Sequence, residues 1–215
     1  MLVKDYMTRH PIMISPDTSA AESQQIMTEN NIRHLPVIGD GKRILGLISR
    51  ERLRIPPTDL GSLNVWEISR YLNELRAKDV MVKKKDLITI EPDATMEDAA
   101  KKMIDDKVGC LLVLEEDIVV GIITEIDMMV QLTNLLGGNE PGVRITVRVP
   151  NVQGELAKIS GAISDQGWGI YASGGVTTPK DPSHWDVVLK VRNVKKEELV
   201  AVLEKIEGQE IIDVR

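Results

Sequence analysis

Few side chains in this sequence are spaced for covalent or metal chemistry. The three histidines, His10, His34 and His184, lie far apart. No His-Glu-x-x-His pair, Gly-x-Ser-x-Gly turn or phosphate-loop lysine occurs, so the residue sets that build a zinc site, an activated serine or a triphosphate cradle are missing. Cys110 is the only cysteine, set in Val108-Gly109-Cys110-Leu111-Leu112-Val113. A lone thiol forms no intrachain disulfide and no multi-cysteine metal site. Its apolar neighbours make it a small buried hydrophobe rather than a nucleophile. Gly167-Trp168-Gly169 and Gly174-Gly175 lack the strand-loop-helix context of a phosphate loop and read as turns. The expectation is a chain with no catalytic residues, no metal and no required cofactor, in a reducing, cytoplasmic setting.

The elements that must position any binding site are better marked. The chain has 215 residues, 42% hydrophobic and 28% charged, enough apolar surface for a core and enough length for two folding units. Its formal charge of -6, from 27 Lys+Arg against 33 Asp+Glu, comes with no long basic run, which argues against nucleic acid as a partner. Met1-Leu2-Val3-Lys4-Asp5 is followed by no apolar stretch of signal-peptide type, and no uncharged apolar run reaches the roughly 18 residues of a membrane span. Secretion and membrane insertion are not expected.

An internal repeat organises the first half. Val3-Lys4-Asp5-Tyr6-Met7 returns as Ala77-Lys78-Asp79-Val80-Met81, and Ile14-Ser15-Pro16-Asp17 as Ile90-Glu91-Pro92-Asp93, the self-similarity of a repeated structural unit. Ser19 to Glu22 and Thr95 to Asp98 each place a carboxylate three residues after a hydroxyl, the signature that satisfies free amides at a helix start. Met96, Ala99, Ala100 and Met103 then form an apolar helical face; Ala20, Ser23, Gln24 and Met27 form a more polar one. Leu35-Pro36-Val37-Ile38 and Leu111-Leu112-Val113-Leu114 read as buried strands, followed by strands at Ile44 to Ser49 and Val119 to Thr124. Each copy therefore reads strand, helix, strand, strand, helix. Either alone is too small to bury its sheet, so the two should pack together and leave clefts between them. Arg54-Ile55-Pro56-Pro57-Thr58-Asp59 breaks the chain between copies, and Val65, Ile68, Leu72 and Leu75 share one face of an inserted helix within 55–76. That face either packs on the flank of the pair or docks a partner.

The Asp-x-Met openings, Ile32-Arg33-His34-Leu35-Pro36-Val37 and Gly121-Ile122-Ile123-Thr124-Glu125-Ile126-Asp127 together resemble a CBS pair, or Bateman module, with repeats at 1–54 and 77–134. The inserted helix is similar to one in acetoin-utilisation accessory proteins. The resemblance implies a regulatory ligand containing adenosine, such as AMP, ADP, ATP or S-adenosylmethionine. It also implies a hydroxyl and an aspartate three residues apart that hold this ligand, positions matched here by Thr124 and Asp127. An ionised carboxylate can accept both hydrogen bonds of a ribose diol, while a hydroxyl and helix amides hold ribose or phosphate oxygens; an ordinary helix cap is the competing reading. Val108, Gly109, Cys110 and Leu111 are the aligned candidates for the adenine slot. Met81, Arg33, His34, Pro36 and Ser49 complete the candidate set, with Arg33 and His34 either touching phosphate or remaining surface groups. The first copy departs from the pattern: Ser49 is followed by Arg52 where an aspartate would stand, a cation with no acceptor capacity. One competent site per chain is expected.

Leu135 to Gly142 is turn-rich and should separate a second unit. Beyond it, Val143 to Val149 alternates as a strand, Leu156, Ile159 and Ile163 recur at helical spacing, and Gly169 to Thr177 and Trp185 to Val191 read as strands. Leu199 to Ile206 makes a second helix before Ile211 to Val214. The order is βαββαβ, the ferredoxin-like arrangement, giving a mixed α/β (α+β) chain. Val149-Pro150-Asn151-Val152-Gln153-Gly154-Glu155-Leu156 at the first strand-helix junction resembles the ACT domain, over 142–215. That resemblance implies either side-by-side dimerisation or binding of a small effector near Asn151, a helix cap, and Gly154, where a ligand can approach the backbone. A homodimer and an unidentified protein target are the expected partners.

Overall fold

The computed structural model describes residues 1–53 and 65–215, which fall into two compact units, Met1–Met128 and Met129–Arg215. The division lies within the helix Glu125–Leu135, earlier than the glycine-rich turn marked by composition. The proline break at 54–59 and the start of the inserted helix at 62–64 lie outside the described residues.

The first repeat contains α1 (Val3–Tyr6), β1 (Thr8–Arg9), α2 (Ala20–Glu29), β2 (His34–Ile38) and β3 (Ile44–Ser49). After α3 (Val65–Glu74), the second contains α4 (Ala77–Val80), β4 (Val82–Lys83), β5 (Thr89–Ile90), α5 (Met96–Asp106), β6 (Cys110–Glu115), β7 (Ile118–Thr124) and α6 (Glu125–Leu135). The openings expected as strands are each one helical turn followed by a two-residue strand. The first copy's closing helix is, among the described residues, a 3-10 turn over Arg50–Leu53.

Local capping explains where the long helices start. Ser19 Oγ accepts from the Glu22 N–H at 3.1 Å. Thr95 Oγ1 accepts from the Asp98 N–H at 3.0 Å, and Asp98 Oδ2 accepts from the Thr95 N–H at 3.3 Å, so orphan amides are satisfied reciprocally. Behind these caps Ala20, Ser23 and Met27, and Met96, Ala99 and Met103, face inward and are buried.

The two repeats exchange their short strands. β1 pairs with β7 in the second repeat's sheet, ordered β1-β7-β6-β5, while β4 pairs with β3 in the first repeat's sheet, ordered β2-β3-β4. The crossing requires two glycines. A Cβ at Gly46 would fall onto Met81 Sδ and 2.5 Å from the Val82 carbonyl oxygen; one at Gly121 would fall onto Met7 Sδ, 3.1 Å from the Thr8 carbonyl oxygen. Each Asp-x-Met methionine thus lies over the other repeat's glycine. Between the sheets Ile44, Cys110, Leu112, Val119 and Ile122 form a shared buried cluster, the core that neither repeat closes by itself. Leu72 and Leu75 of the inserted segment pack against the first repeat's core, the flank-packing alternative for that face.

In the second unit β8 (Val143–Pro150), α7 (Glu155–Asp165), β9 (Gly169–Thr177), β10 (His184–Arg192), α8 (Lys196–Leu203) and β11 (Glu210–Val214) follow the expected βαββαβ order. All pairings are antiparallel, and the sheet order is β11-β8-β10-β9. Alternation places Ile145, Val147, Val149, Val187, Leu189 and Val191 on one face, against Ile159 and Ile163 of α7 and Leu199 and Leu203 of α8. Among the described residues no helix is long and apolar enough to cross a membrane.

Candidate functional site

The exchanged strands create two clefts in the first unit. The larger, about 420 Å³, is lined by Thr124, Ile126, Asp127 and Ile122 from the second repeat and by Asn31, Ile32, Arg33, His34 and Thr8 to Ile12 of the first, without Arg9. The smaller, about 230 Å³, is lined by His34, Leu47, Ser49 and Glu51 from the first repeat and by Lys107, Val108, Gly109, Cys110, Val82 and Asp86 to Ile88 of the second, so that His34 borders both clefts. The two are related position by position. His34 faces Ser49 across β2 and β3 as Cys110 faces Thr124 across β6 and β7. Asn31 and Lys107, which end α2 and α5, both adopt left-handed φ, 51° and 55°, a conformation that asparagine tolerates better than lysine.

This pairing corrects the grouping expected from alignment. Val108, Gly109 and Cys110 belong to the Ser49 cleft, and Thr124 and Asp127 meet Ile32 and Arg33 instead, with His34 shared between the two clefts. Leu111 is fully buried core. Met81 is occupied over Gly46, and Pro36 is buried within β2, where it pairs with Leu47; neither lines a cleft. The cause is topological: the strand carrying a repeat's hydroxyl lies opposite the other repeat's helix-to-strand turn.

Asp127 Oδ2 accepts from the Thr124 N–H at 2.7 Å and from Thr124 Oγ1 at 2.8 Å. The cap reading is therefore physically realised at the start of α6. Among the described residues Asp127 Oδ1 accepts no hydrogen bond, so the capped carboxylate keeps an acceptor on a cleft wall. Thr95 and Asp98 make the same cap, with Thr95 Oγ1 donating to Asp98 Oδ2 at 2.7 Å, but they do not line either cleft. Asp98 borders a different cavity, about 560 Å³, that it shares with Glu91, Lys102, Glu116 and Asp117, so what distinguishes Thr124 and Asp127 is the apolar lining of theirs by Pro11, Ile12, Ile32, Ile122 and Ile126, which suits a flat aromatic base.

In the smaller cleft Glu51 stands where Ile126 lies in the larger one, and Arg52 leaves the lining, its Nη1 3.5 Å from the Val80 carbonyl oxygen. Arg50 donates to the carbonyls of Met27 at 3.2 Å and Ile32 at 3.1 Å. Lys84, the middle residue of Lys83-Lys84-Lys85, pairs with Asp117 at 2.6 Å. Burial raises the Cys110 thiol to about 12, with Glu125 adding to the effect and Arg33 opposing it. Burial lowers His34, helped by the neighbouring Arg33 charge and opposed by Glu125 and Glu51. The two equivalent positions are both held neutral near neutral pH.

In the second unit Asn151 does not cap α7. Its Nδ2 donates to the Pro182 carbonyl at 3.3 Å, and the helix begins after Gly154, which has a φ of 93° and open space where a Cβ would project. Asp181, Ser183 and His184 cluster in a turn, but the Ser183 hydroxyl and the Asp181 carboxylate both meet the same imidazole nitrogen, Nδ1, at 3.0 and 2.7 Å. A ring held this way has no carboxylate on one nitrogen and hydroxyl on the other, so it lacks the relay of a catalytic triad. Among the described residues no group of three or more His, Cys, Asp or Glu side chains could hold a metal ion.

The CBS domain family model matches residues 3–55 and 77–134, just over half of the chain. The chain belongs to the CBS domain family. A structure described as an acetoin utilization protein (AcuB) from Vibrio cholerae is 30% identical, covers 66% of this chain and 98% of that one, and superposes with a TM-score of 0.52. CBSX2 in complex with AMP is 24% identical over 62% of this chain and 96% of that one, with a TM-score of 0.51, a likeness in fold. Homoserine O-acetyltransferase of Methanosalsum zhilinae is 30% identical over 131 residues, which are 60% of this chain and 24% of the relative. The chain spans 24% and 46% of the first two curated relatives it matches.

Proposed function

We propose that this protein is a non-catalytic regulatory sensor that binds an adenosine-containing ligand, such as AMP, ADP, ATP or S-adenosylmethionine, in the Thr124 cleft. The observation that carries this reading is the juxtaposition of the Thr124–Asp127 pair with an apolar cavity of about 420 Å³, within the roughly 300–1,000 Å³ typical of small-molecule sites. Asp127 would accept from the ribose hydroxyls, Thr124 and the first amides of α6 would hold ribose or phosphate oxygens, and the base would enter between Ile12, Ile32 and Ile126. The AMP held by CBSX2 supports this ligand class. Ligand regulates only if it favours one arrangement of the protein over another. Calorimetric titration with AMP and S-adenosylmethionine tests the reading: saturable binding near one per chain is expected, and no binding by either would remove it.

The second unit is proposed to be an ACT-like domain, 142–215, that pairs two chains through the edge strand β9, which carries no charged side chain or proline to block pairing. A strictly monomeric mass in solution would contradict this. Effector binding beside Gly154 remains the companion proposal, supported by the open backbone there.

A second reading, an accessory or assembly subunit in acetoin or related carbon metabolism with no nucleotide bound, is favoured by the likeness to AcuB and by the diversion of Arg52 from the smaller cleft. Purification of a stable partner complex unaffected by nucleotides would support it over the sensor.

A further inference from the structure

A third cavity, about 290 Å³, lies between the two clefts and is lined by Arg33, His34, Ser49, Arg50, Glu51, Lys107, Gly109 and Glu125. It shares Arg33 and His34 with the Thr124 cleft, so a group projecting from a nucleoside in that cleft past Arg33 enters it. Arg33 is already engaged: its Nη2 lies 3.3 Å from Glu125 Oε1, an ion pair that links the first repeat to the first residue of α6. The Glu125 N–H donates to the Gly109 carbonyl at 3.1 Å, and the Glu125 carboxylate lies over Gly109, 3.5 Å from where a Cβ would stand. Gly109 is the counterpart of Arg33 in the second repeat, and its missing side chain leaves room for this carboxylate. Of the other two cations, Arg50 is committed to backbone carbonyls, whereas Lys107 has no hydrogen-bond or ion-pair partner among the described residues.

The geometry points to Glu125 as an internal anion occupying the seat of a ligand phosphate, so that the Thr124 cleft selects a nucleoside 5′-phosphate over the uncharged nucleoside or a cationic sulfonium nucleoside. This inference rests on the adenosine reading of that cleft. Both partners of the pair are about half exposed, 51% and 53%, and such pairs are weak because water screens them and side-chain entropy opposes them. A phosphate brings up to two charges and three acceptor oxygens to the same guanidinium, where bidentate hydrogen bonds are strong. It therefore displaces the carboxylate, with Lys107 adding attraction, and releases Glu125 from the first repeat. Glu125 sets the affinity; Arg33 reads the phosphate.

The test is calorimetric titration of the full chain, wild type, Glu125→Gln and Arg33→Gln, with adenosine, AMP and S-adenosylmethionine. The expected result is tighter binding of AMP than of the other two. Glu125→Gln should tighten AMP by about two- to fivefold and leave adenosine within about twofold. Arg33→Gln should erase the preference for AMP, about tenfold or more. Equal affinities for AMP and adenosine in the wild type, or AMP binding unchanged or weakened by Glu125→Gln, overturn the inference while adenosine binding leaves the cleft reading intact. Failure of all three ligands to bind removes the cleft reading and this one with it.

Discussion

The Thr124 and Ser49 clefts are built from equivalent parts and differ in a handful of side chains. In the first, Asp127 caps its helix and keeps an acceptor on the wall; in the second, Arg52 stands at that position and reaches away to a backbone carbonyl. Ile126 becomes Glu51, Arg33 becomes Gly109, Cys110 lines only the smaller cleft while its counterpart His34 lines both, and the cavity shrinks from about 420 to about 230 Å³. A duplicated scaffold thus keeps its shared core while one cleft is lined by the Asp127 carboxylate and the Arg33 guanidinium and the other by Glu51 and Lys107. The frame belongs to the repeat, whereas the lining of each cleft belongs to individual positions.

The largest expected effect tests the frame. Gly46→Ala forces a methyl group against the Val82 carbonyl, 2.5 Å away, and since backbone cannot rotate aside as a side chain does, a loss of about 3 kcal/mol is expected. Gly121→Ala meets mainly the flexible Met7 side chain, with the Thr8 carbonyl at 3.1 Å, and should cost about 1–2 kcal/mol. Urea midpoints measure both; equal losses would show that the two strand exchanges are equally tight.

A smaller contrast lies in pH. The folded Cys110 thiol is raised to about 12, so above the unfolded thiol's pKa, near 9, the unfolded state gives up a proton that the folded state retains. Stability is then lost as pH rises, on the order of 1 kcal/mol by pH 10, and Cys110→Ala should remove that slope. His34 is shifted the other way: below its ordinary 6.5 the unfolded ring takes up a proton that the folded one resists. Its stabilising effect is full above 6.5 and lost as pH falls, and His34→Gln should flatten the acid side. Denaturant midpoints across pH 4 to 10 test both; unchanged slopes in either variant would contradict the burial argument for that residue.

The repeats, the caps at Ser19 and Thr95, and the βαββαβ order of the second unit were legible in sequence because each rests on local spacing: a hydroxyl three residues before a carboxylate, or alternation along a strand. The partition of the site was not. Nothing in the period of Val108 to Val113 reveals that Cys110 faces the cleft of Ser49 rather than that of Thr124, since this follows from β1 and β4 crossing into each other's sheets. The glycines opposite Met7 and Met81 carried the only sequence trace of that crossing, two Asp-x-Met openings and two mid-strand glycines at matching positions. Asn151 was misread for a related reason. Its type favours a cap, but the chain runs three residues further before α7 begins, and the side chain is taken up by Pro182.

The smallest effect separates capping from binding. Thr95→Ala and Thr124→Ala each remove a helix-start acceptor and should each cost about 1 kcal/mol of stability. Only Thr124→Ala should also weaken AMP. Loss of affinity in both variants would mean that helix stability, not the cleft, governs binding.

The most direct measurement is calorimetric titration of AMP into the wild type, Asp127→Ala and Ser49→Ala. One site per chain is expected, with affinity reduced about tenfold or more by Asp127→Ala, the loss of a charged hydrogen-bond acceptor, and unchanged by Ser49→Ala. Undiminished affinity in Asp127→Ala, or a loss confined to Ser49→Ala, would contradict the assignment of the ligand to the Thr124 cleft.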